Sequence, residues 1–176
     1  MKSVLSLAIV IILSFQSCAQ DVKSNNDVKP SNEKTTYYFI RHAEKDRRND
    51  SNRNPDLNKL GQKRAKKWAK YFKKINLDAV YATNYNRTQQ TAQPTAEQKN
   101  LDVLDYDAST LYSEEFKNAT KGKTVLIVGH SNTTPAFVNM ILGDKKYEDI
   151  DDNDNSQLFI VTISEDKITD ELKTVK

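Results

Sequence analysis

The sequence is poor in the residues that form disulfides and bind metals. Its 176 residues include one cysteine, Cys18, and two histidines, His42 and His130. A single cysteine excludes an intrachain disulfide, even in an oxidising compartment that would permit one. Two histidines without a carboxylate at ligand spacing do not favour a zinc site. The sequence therefore predicts no metal centre and no cofactor.

A large net charge is also absent. The formal charge is +3 at pH 7, which by itself favours no class of partner. Lysines and arginines crowd residues 59–74, but the apolar spacing there predicts an amphipathic helix with the cations on its solvent face. That polar face lacks the aromatic residues that stack on bases, so the sequence predicts no nucleic-acid partner. The acidic segment 147–154 lacks the glycine and spacing of a calcium loop and is expected to be solvated.

The N-terminus has the pattern of a secretory signal. Lys2 precedes the apolar run Val4–Phe15, which is too short to span a membrane as a mature helix. Two processing routes stay open: ordinary cleavage after Ala19, or lipidation of Cys18 as in bacterial lipoproteins. We favour lipidation because a solitary cysteine at the end of the apolar run is otherwise unexplained. The protein is therefore expected to be exported, in the periplasm or anchored to a membrane only through a lipid on Cys18.

Composition divides the chain into three segments. Residues 1–18 are the predicted signal peptide of the lipoprotein type. Residues 19–35 are mainly polar, with almost nothing apolar to bury, and are predicted to be a flexible tether. Residues 36–176 have the length of a single folded domain.

Apolar runs alternate with segments of helical periodicity along that domain. We predict strands over 37–42, 78–82, 101–104 and 124–128, helices over 58–74, 87–98, 109–119 and from Asn132 or Thr133 to Gly143, and a closing hairpin of strands over 158–163 and from 168. This alternation predicts an α/β fold, a three-layer α/β/α sandwich with a mainly parallel sheet and a C-terminal antiparallel hairpin.

For two of the helices the sequence makes more specific predictions. The predicted buried stripe of the first consists of Leu60, Arg64 or Ala65, Trp68, Phe72 and Ile75. In the second, Pro94 is expected to interrupt the helix or to lie in its early turns, because proline lacks the backbone N–H.

Both histidines directly follow apolar runs predicted as strands. The carboxyl ends of strands line the crevice where open α/β sheets bind ligands, so His42 and His130 are expected to face one another. Arg41 precedes the first histidine, and Arg87 follows the predicted second strand. A lone histidine is commonly a hydrogen-bonded structural residue. Two histidines at strand ends together with two arginines favour a phosphate pocket around a nucleophilic imidazole.

Three short motifs contain these residues. They are Arg41-His42-Ala43-Glu44, Arg87-Thr88-Gln89-Gln90-Thr91-Ala92 and Gly129-His130-Ser131. In this order they resemble the Arg-His-Gly-Glu, Arg-Ala-x-Gln-Thr-Ala and Gly-His-Ser motifs of the histidine phosphatase superfamily, also called phosphoglycerate-mutase-like. Ala43 and Thr88 depart from the family pattern, and Thr83 stands where a serine often begins the second motif. The resemblance covers about residues 36–163 and implies the phosphoglycerate-mutase-like fold.

The resemblance also implies roles for four side chains. His42 would be the nucleophile, and Arg41, Arg87 and His130 would bind the phosphoryl oxygens. Covalent capture by an imidazole divides one difficult displacement into two easier ones. Guanidinium groups suit the phosphoryl oxygens because they form paired, charge-assisted hydrogen bonds.

The proton donor to the leaving group is less well defined. Family members often supply it from the segment between the second and third motifs, where Asp105, Asp107, Glu114 and Glu115 compete. We select Asp107 because it follows the predicted third strand and should reach the same crevice. Glu44 is the reserve candidate.

These observations predict a metal-independent phosphomonoesterase that acts through a phosphohistidine on His42. Its partner would be a small phosphorylated substrate or a phosphoprotein. The alternative is a catalytically silent phosphate-binding module of the envelope, although a binding protein needs no nucleophile. Two-histidine cyclic phosphodiesterases require His-x-Thr or His-x-Ser twice, and His42-Ala43-Glu44 does not fit that pattern.

Overall fold

Strands and helices alternate through residues 34–165 and 167–176, the residues that the computed structural model describes. The elements are β1 (Thr35–Arg41), α1 (Lys59–Phe72), β2 (Ala79–Ala82), α2 (Asn86–Lys99), β3 (Val103–Asp105), α3 (Glu114–Thr120), β4 (Thr124–Gly129), α4 (Thr133–Leu142), β5 (Gln157–Ser164) and β6 (Lys167–Thr174). Within these described ranges, no helix has both the length and the apolar character needed to cross a membrane. The predicted signal peptide, including Cys18, and most of the predicted tether lie outside the described residues.

The strands form one mixed sheet in the order β3-β2-β4-β1-β5-β6. The first four strands pair in parallel: β1 with β4, β4 with β2, and β2 with β3. β5 is antiparallel to β1, and β6 is antiparallel to β5. The predicted mainly parallel sheet with a C-terminal antiparallel hairpin is confirmed.

Apolar side chains on the two faces of the sheet form two separate cores. On one face Tyr37 and Phe39 of β1 pack with Phe137 of α4. On the other face Ile40 packs with Trp68 of α1. Since successive strand residues point to opposite faces, one strand contributes to both cores. The three-layer sandwich is therefore confirmed.

The buried face of α1 differs from its prediction. Its buried residues are Gly61, Ala65, Trp68, Ala69 and Phe72. Leu60 is 57% exposed, so its predicted burial is wrong. The reason is that α1 lies against the backbone of Glu44, where a Cβ on Gly61 would come 2.2 Å from the Glu44 carbonyl oxygen. The helix turns its smallest residue towards that contact and leaves Leu60 in solvent.

Two other helices also differ from expectation. α2 continues through Pro94 instead of breaking, with Ala92 and Ala96 fully buried on either side of the proline. α3 begins at Glu114 and not near residue 109, because the Ser113 side chain caps it by accepting from the Phe116 N–H.

Candidate active site

The carboxyl ends of β1 and β4 bring the two histidines together. Arg41 lies opposite Gly129 in the parallel ladder, and the His42 N–H donates to the Gly129 carbonyl at 2.9 Å. The imidazole rings of His42 and His130 follow directly and lie edge to face, with centroids 5.5 Å apart. Residues 88 positions apart in the chain thus share one site because their strands are neighbours.

The His42 ring is held in one tautomer. Its Nδ1 lies 2.7 Å from the Ala43 carbonyl oxygen, which can only accept, so Nδ1 carries the proton and Nε2 carries the lone pair. Burial lowers the pKa of His42 to about 3, and the nearby Arg41 adds to this effect. The ring is therefore neutral at physiological pH, which is the form in which Nε2 is a nucleophile.

Thr91 joins the first motif to the second. Its hydroxyl oxygen accepts from the Ala43 N–H at 2.9 Å, and the hydroxyl donates to the Arg87 carbonyl at 2.6 Å. The peptide that follows His42 is thereby fixed to the first turn of α2.

His130 is held in the opposite tautomer. Arg87 Nη2, which can only donate, lies 3.4 Å from His130 Nδ1, so Nδ1 accepts and Nε2 carries the proton. Nε2 then donates to the Thr83 hydroxyl at 2.9 Å, and Thr83 donates onward to Thr88 at 3.1 Å. Burial lowers the pKa of His130 to about 4, with a further contribution from Arg87.

Arg87 presents free donors at the start of α2. Its guanidinium lies over the Tyr85 ring, 4.4 Å from the centroid, and Tyr85 also meets His130 edge-on. Arg87 Nε and Nη1 are buried and have no hydrogen-bond partner among the described residues. They are suited to bind oxygens of an anion next to the histidines. The sequence analysis did not identify Tyr85, which stands two residues before the second motif.

Arg41 is 2% exposed and is held on one side by the loop between α4 and β5. Its Nη1 donates to the carbonyl oxygens of Asp151 and Asp154, at 2.7 and 3.2 Å. Its Nη2 donates to the Asp152 carboxylate at 2.5 Å. Nε is buried without a partner among the described residues, which leaves this N–H for a bound anion.

The same loop connects the two histidine segments. The Ile150 N–H donates to the Ser131 carbonyl at 2.9 Å, and the Asn155 side chain donates to the His42 carbonyl at 2.8 Å. The loop over 147–154 is mainly exposed, as expected, but it also contacts the site through Ile150 and through the carbonyl groups that bind Arg41. Asn155 and Asp152 are site residues that the sequence analysis missed. The run of acidic residues predicted a loop, but nothing in the local sequence predicted that this loop contacts β1.

A cleft of about 540 Å³ opens beside His42. The other side chains that line it include Glu44, Lys45, Arg47, Asp152 and Asn155. Glu44 is oriented by Arg64, whose Nε and Nη2 lie 2.8 and 2.7 Å from one carboxylate oxygen. The reserve candidate for proton transfer thus faces the same cleft as the predicted nucleophile.

Asp107 lies elsewhere. It lines a separate cavity of about 240 Å³ together with Tyr81 and Phe116, and its carboxylate accepts from the Ser109 N–H at 2.8 Å. These hydrogen bonds lower the pKa of Asp107 and favour its charged form. The structure therefore brings Arg41, His42, Arg87 and His130 together but leaves Asp107 outside the cleft that His42 lines. Its role as the acid stays a prediction.

The start of α4 completes the wall at His130. Asn132 precedes the helix without a side-chain capping bond, and the Thr133 hydroxyl accepts from the His130 N–H at 3.0 Å.

Across residues 34–165 and 167–176, no three His, Cys, Asp or Glu side chains are grouped so as to hold a metal ion.

Sequence comparison finds one family model that matches part of the chain. A family model described as histidine phosphatase superfamily, branch 1, matches residues 37–108, which include His42, Arg87 and Asp107. Over these residues the chain is similar to that superfamily. No curated protein sequence matches it.

Solved structures share the fold at low sequence identity. A phosphoglycerate mutase from Bacillus anthracis is 13% identical, with a TM-score of 0.63 over 82% of this chain and 93% of that one. The protein histidine phosphatase SixA, solved with tungstate, is 17% identical, with a TM-score of 0.62 over 79% and 96%. A mycobacterial glucosyl-3-phosphoglycerate phosphatase, solved with VO3, is 13% identical, with a TM-score of 0.61 over 81% and 100%. These likenesses show a phosphoglycerate-mutase-like fold.

Proposed function

We propose that this protein is a metal-independent phosphomonoesterase of the histidine phosphatase superfamily that transfers the phosphoryl group to Nε2 of His42. The observation that carries the proposal is the His42 ring, neutral, proton-bearing at Nδ1 and next to the partner-free N–H groups of Arg41 and Arg87. A binding protein would need the arginines but not a nucleophile beside them. The family and the phosphatases among the structural neighbours support the same activity.

In the first step the Nε2 lone pair forms a P–N bond while the P–O bond to the alcohol breaks. Arg41 Nε and Arg87 Nε and Nη1 donate to the phosphoryl oxygens, where preorganised donors stabilise the charge of the transition state. His130 takes up a proton at Nδ1 when the dianion binds, which converts its acceptor into a donor. The leaving oxygen receives a proton from the Glu44 carboxyl group.

In the second step water attacks phosphorus and gives its proton to Glu44. The P–N bond breaks, inorganic phosphate leaves and His42 returns to its neutral form. The guanidinium groups supply the positive charge that metal ions supply in other phosphatases, so the proposed cycle needs none. Small phosphorylated compounds and phosphoproteins both fit this chemistry.

Trapping of the intermediate tests the proposal. After rapid quenching with a labelled aryl phosphate, the wild-type protein should carry an acid-labile, base-stable label, and His42→Ala should carry none because it lacks the nucleophile. Chelator should not reduce turnover. Asp152→Asn is a control for loss of a nearby polar group and should still be labelled. A protein that binds phosphate without label or turnover would be the silent binding module, and dependence on added metal would contradict the mechanism.

We also propose that the protein is exported and anchored through a lipid on Cys18, a residue outside the described part of the chain. Cys18→Ser should abolish labelling with a fatty-acid analogue and release the protein from membranes, since one lipid anchor would be lost. A mature wild-type chain that lacks lipid and begins at Gln20 would instead indicate ordinary cleavage after Ala19.

A further inference from the structure

The exposed side of α1 is a stripe of lysines. The helix contains no aspartate or glutamate, and the flanking residues out to 57 and 77 add none. Five exposed lysines lie in the helix: Lys59, Lys63, Lys66, Lys67 and Lys70. At 3.6 residues per turn they fall within an arc of about 100°, opposite the buried Trp68 and Phe72. These five residues are the lysine stripe, and Lys73 and Lys74 extend it past the end of the helix.

The charge of the lysine stripe is not neutralised within residues 34–165 and 167–176, where none of its five side chains forms an ion pair. The nearest acidic residues in sequence, Asp56 and Asp78, instead accept hydrogen bonds from α2 and from β4. Arg64, at the edge of the stripe, is already paired with Glu44 at 2.7 Å. Lysines three and four positions apart on a helix repel one another. A solvated helix face commonly mixes both signs of charge, so this face favours an anionic partner.

A groove of about 680 Å³ runs beside the lysine stripe. Four lysines of the stripe line it, and none of its lining residues is aspartate or glutamate. Lys176 also lines it, but as the last residue of the sequence it brings a backbone carboxylate of its own. Asp154, two residues before the lining residue Ser156, already accepts from the Ser156 and Gln157 side chains at 2.6 and 3.0 Å. The groove therefore has an excess of positive charge.

The side chains of this surface suit a lipid bilayer better than a nucleic acid or a folded protein. Leu60 lines the groove and is 57% exposed, and an apolar side chain beside lysines is typical of helices that lie at a membrane interface. Lysine is a hydrated point charge on a flexible stem, which suits a diffuse layer of lipid phosphates more than paired hydrogen bonds. The aromatic rings of α1 pack on one another, so they are not free to stack on bases.

We propose that the lysine stripe binds the surface of a bilayer that contains anionic phospholipids, with Leu60 entering the interface. This inference goes beyond the proposed phosphatase function and does not depend on it. It adds a second membrane contact to the lipid proposed on Cys18, and a lipid chain combined with a basic patch anchors a protein more firmly than one chain alone. Asn58 lines the catalytic cleft and caps α1, accepting from the Gly61 N–H at 2.9 Å. The membrane-binding helix therefore begins at the cleft.

Co-sedimentation with vesicles tests the proposal. The full-length Cys18→Ser protein, which cannot carry the lipid, should bind vesicles containing about one third phosphatidylglycerol more tightly than pure phosphatidylcholine, and salt should weaken this binding. Changing Lys63, Lys66 and Lys70 together to Gln should lower the affinity about 100-fold, since each lysine near an anionic bilayer contributes roughly fivefold.

A matched control removes the same charge elsewhere. Changing Lys123, Lys145 and Lys167 together to Gln alters exposed lysines outside the lysine stripe and should keep the wild-type affinity. Both triple variants should keep the wild-type Tm, because the altered side chains are exposed. All variants share the same N-terminus, so any contribution of the apolar run before Cys18 is common to them.

Leu60 distinguishes a bilayer from other anionic partners. Leu60→Gln should lower the affinity for anionic vesicles about tenfold, as expected when one leucine no longer leaves water. Unchanged vesicle binding in this variant, no preference for anionic vesicles, or an equal loss in the two triple variants would each overturn the inference. Tighter binding to poly-glutamate than to the vesicles would overturn it as well and assign the lysine stripe to an acidic protein.

Discussion

The phosphate pocket at the strand ends and the charged rim of the cleft are built differently. In the pocket His42 is 3% exposed, and both histidine rings are fixed by hydrogen bonds to fully buried neighbours. On the rim the Asp152 side chain is 58% exposed, and Arg47 and Arg48 are held by ion pairs in solvent. In the pocket Arg41 and His42 are buried and Arg87 and His130 are half-buried, whereas the rim is mostly exposed.

Because of this difference, we expect the pocket to determine the rate of the reaction and the rim to determine which substrate is used. Exposed ion pairs contribute little individually, about 0–1 kcal/mol, because water screens them. A buried donor left without its partner costs about 1–3 kcal/mol. Single-atom changes in the pocket should therefore alter turnover strongly, whereas rim changes should mainly alter which substrate is used.

The largest difference in the loss of kcat/KM is expected between substitutions of two arginines, one in the pocket and one on the rim. Arg87→Ala should lower kcat/KM by roughly 10²- to 10³-fold, the scale seen when one preorganised donor to a transition state is removed. Arg48→Ala removes a rim arginine that pairs with Asp46 and should stay within about threefold, as expected for an exposed pair. Steady-state kinetics with an aryl phosphate measures both. Comparable losses would show that pocket and rim are not distinct.

Thr83 tests whether the pocket depends on a single hydroxyl. Thr83→Val keeps the shape but removes the acceptor of the His130 Nε2–H, so we expect kcat/KM to fall about tenfold, the effect of one unsatisfied buried donor. The loss should grow with rising pH, because His130 then takes up its proton less readily. Thr83→Ser should restore activity. An equal loss at all pH values, accompanied by a lower Tm, would indicate a structural role only.

The titration of the two histidines should distinguish the pocket from an exposed site. Their ring C–H signals in NMR should titrate below pH 5 in the folded protein, at about 3 for His42 and about 4 for His130, and near about 6.5 in urea. Because the unfolded chain binds more protons in that window, stability should fall as pH drops below about 6.5 and be unaffected above it. Inorganic phosphate should raise both pKa values. Folded-state pKa values near 6.5 would contradict the buried, neutral pocket.

The smallest effect is expected at Asp107. Since it lies outside the cleft that His42 lines, Asp107→Asn should change kcat/KM by less than about twofold for alkyl and aryl phosphates alike, as surface substitutions usually do. Glu44→Gln should lower activity on alkyl phosphates more than on aryl phosphates, whose leaving groups barely need a proton. The reverse pattern would return Asp107 to the role predicted from the sequence.

Local patterns were sufficient for the sheet and for the placement of the pocket. The continuous apolar runs of β1 and β4 predicted strands, and the rule that parallel strands end at one edge predicted that His42 and His130 would meet there. Arg87 could be found because its motif begins a helix directly after β2. Each of these inferences depends on residues that are close in sequence or on the general rule for parallel sheets.

Contacts between distant segments could not be predicted in this way. Asp152 and Asn155 reach Arg41 and His42 across 111 and 113 residues. Neither helical nor strand periodicity within a short segment indicates a contact between residues so far apart in the chain. Leu60 was misplaced for a similar reason, since the orientation of α1 is set by how closely Gly61 approaches the Glu44 backbone.

The Thr91 hydroxyl affects which side chains would have to be transferred together if this site were built into another protein. It joins the peptide after the nucleophile to the helix turn that carries Arg87, through one bond on each side. Transplanting the two histidines and two arginines alone would remove this link and leave the Ala43 N–H without its acceptor. The transferred unit therefore has to include Thr91 and also Asn155, which holds the carbonyl of the same peptide.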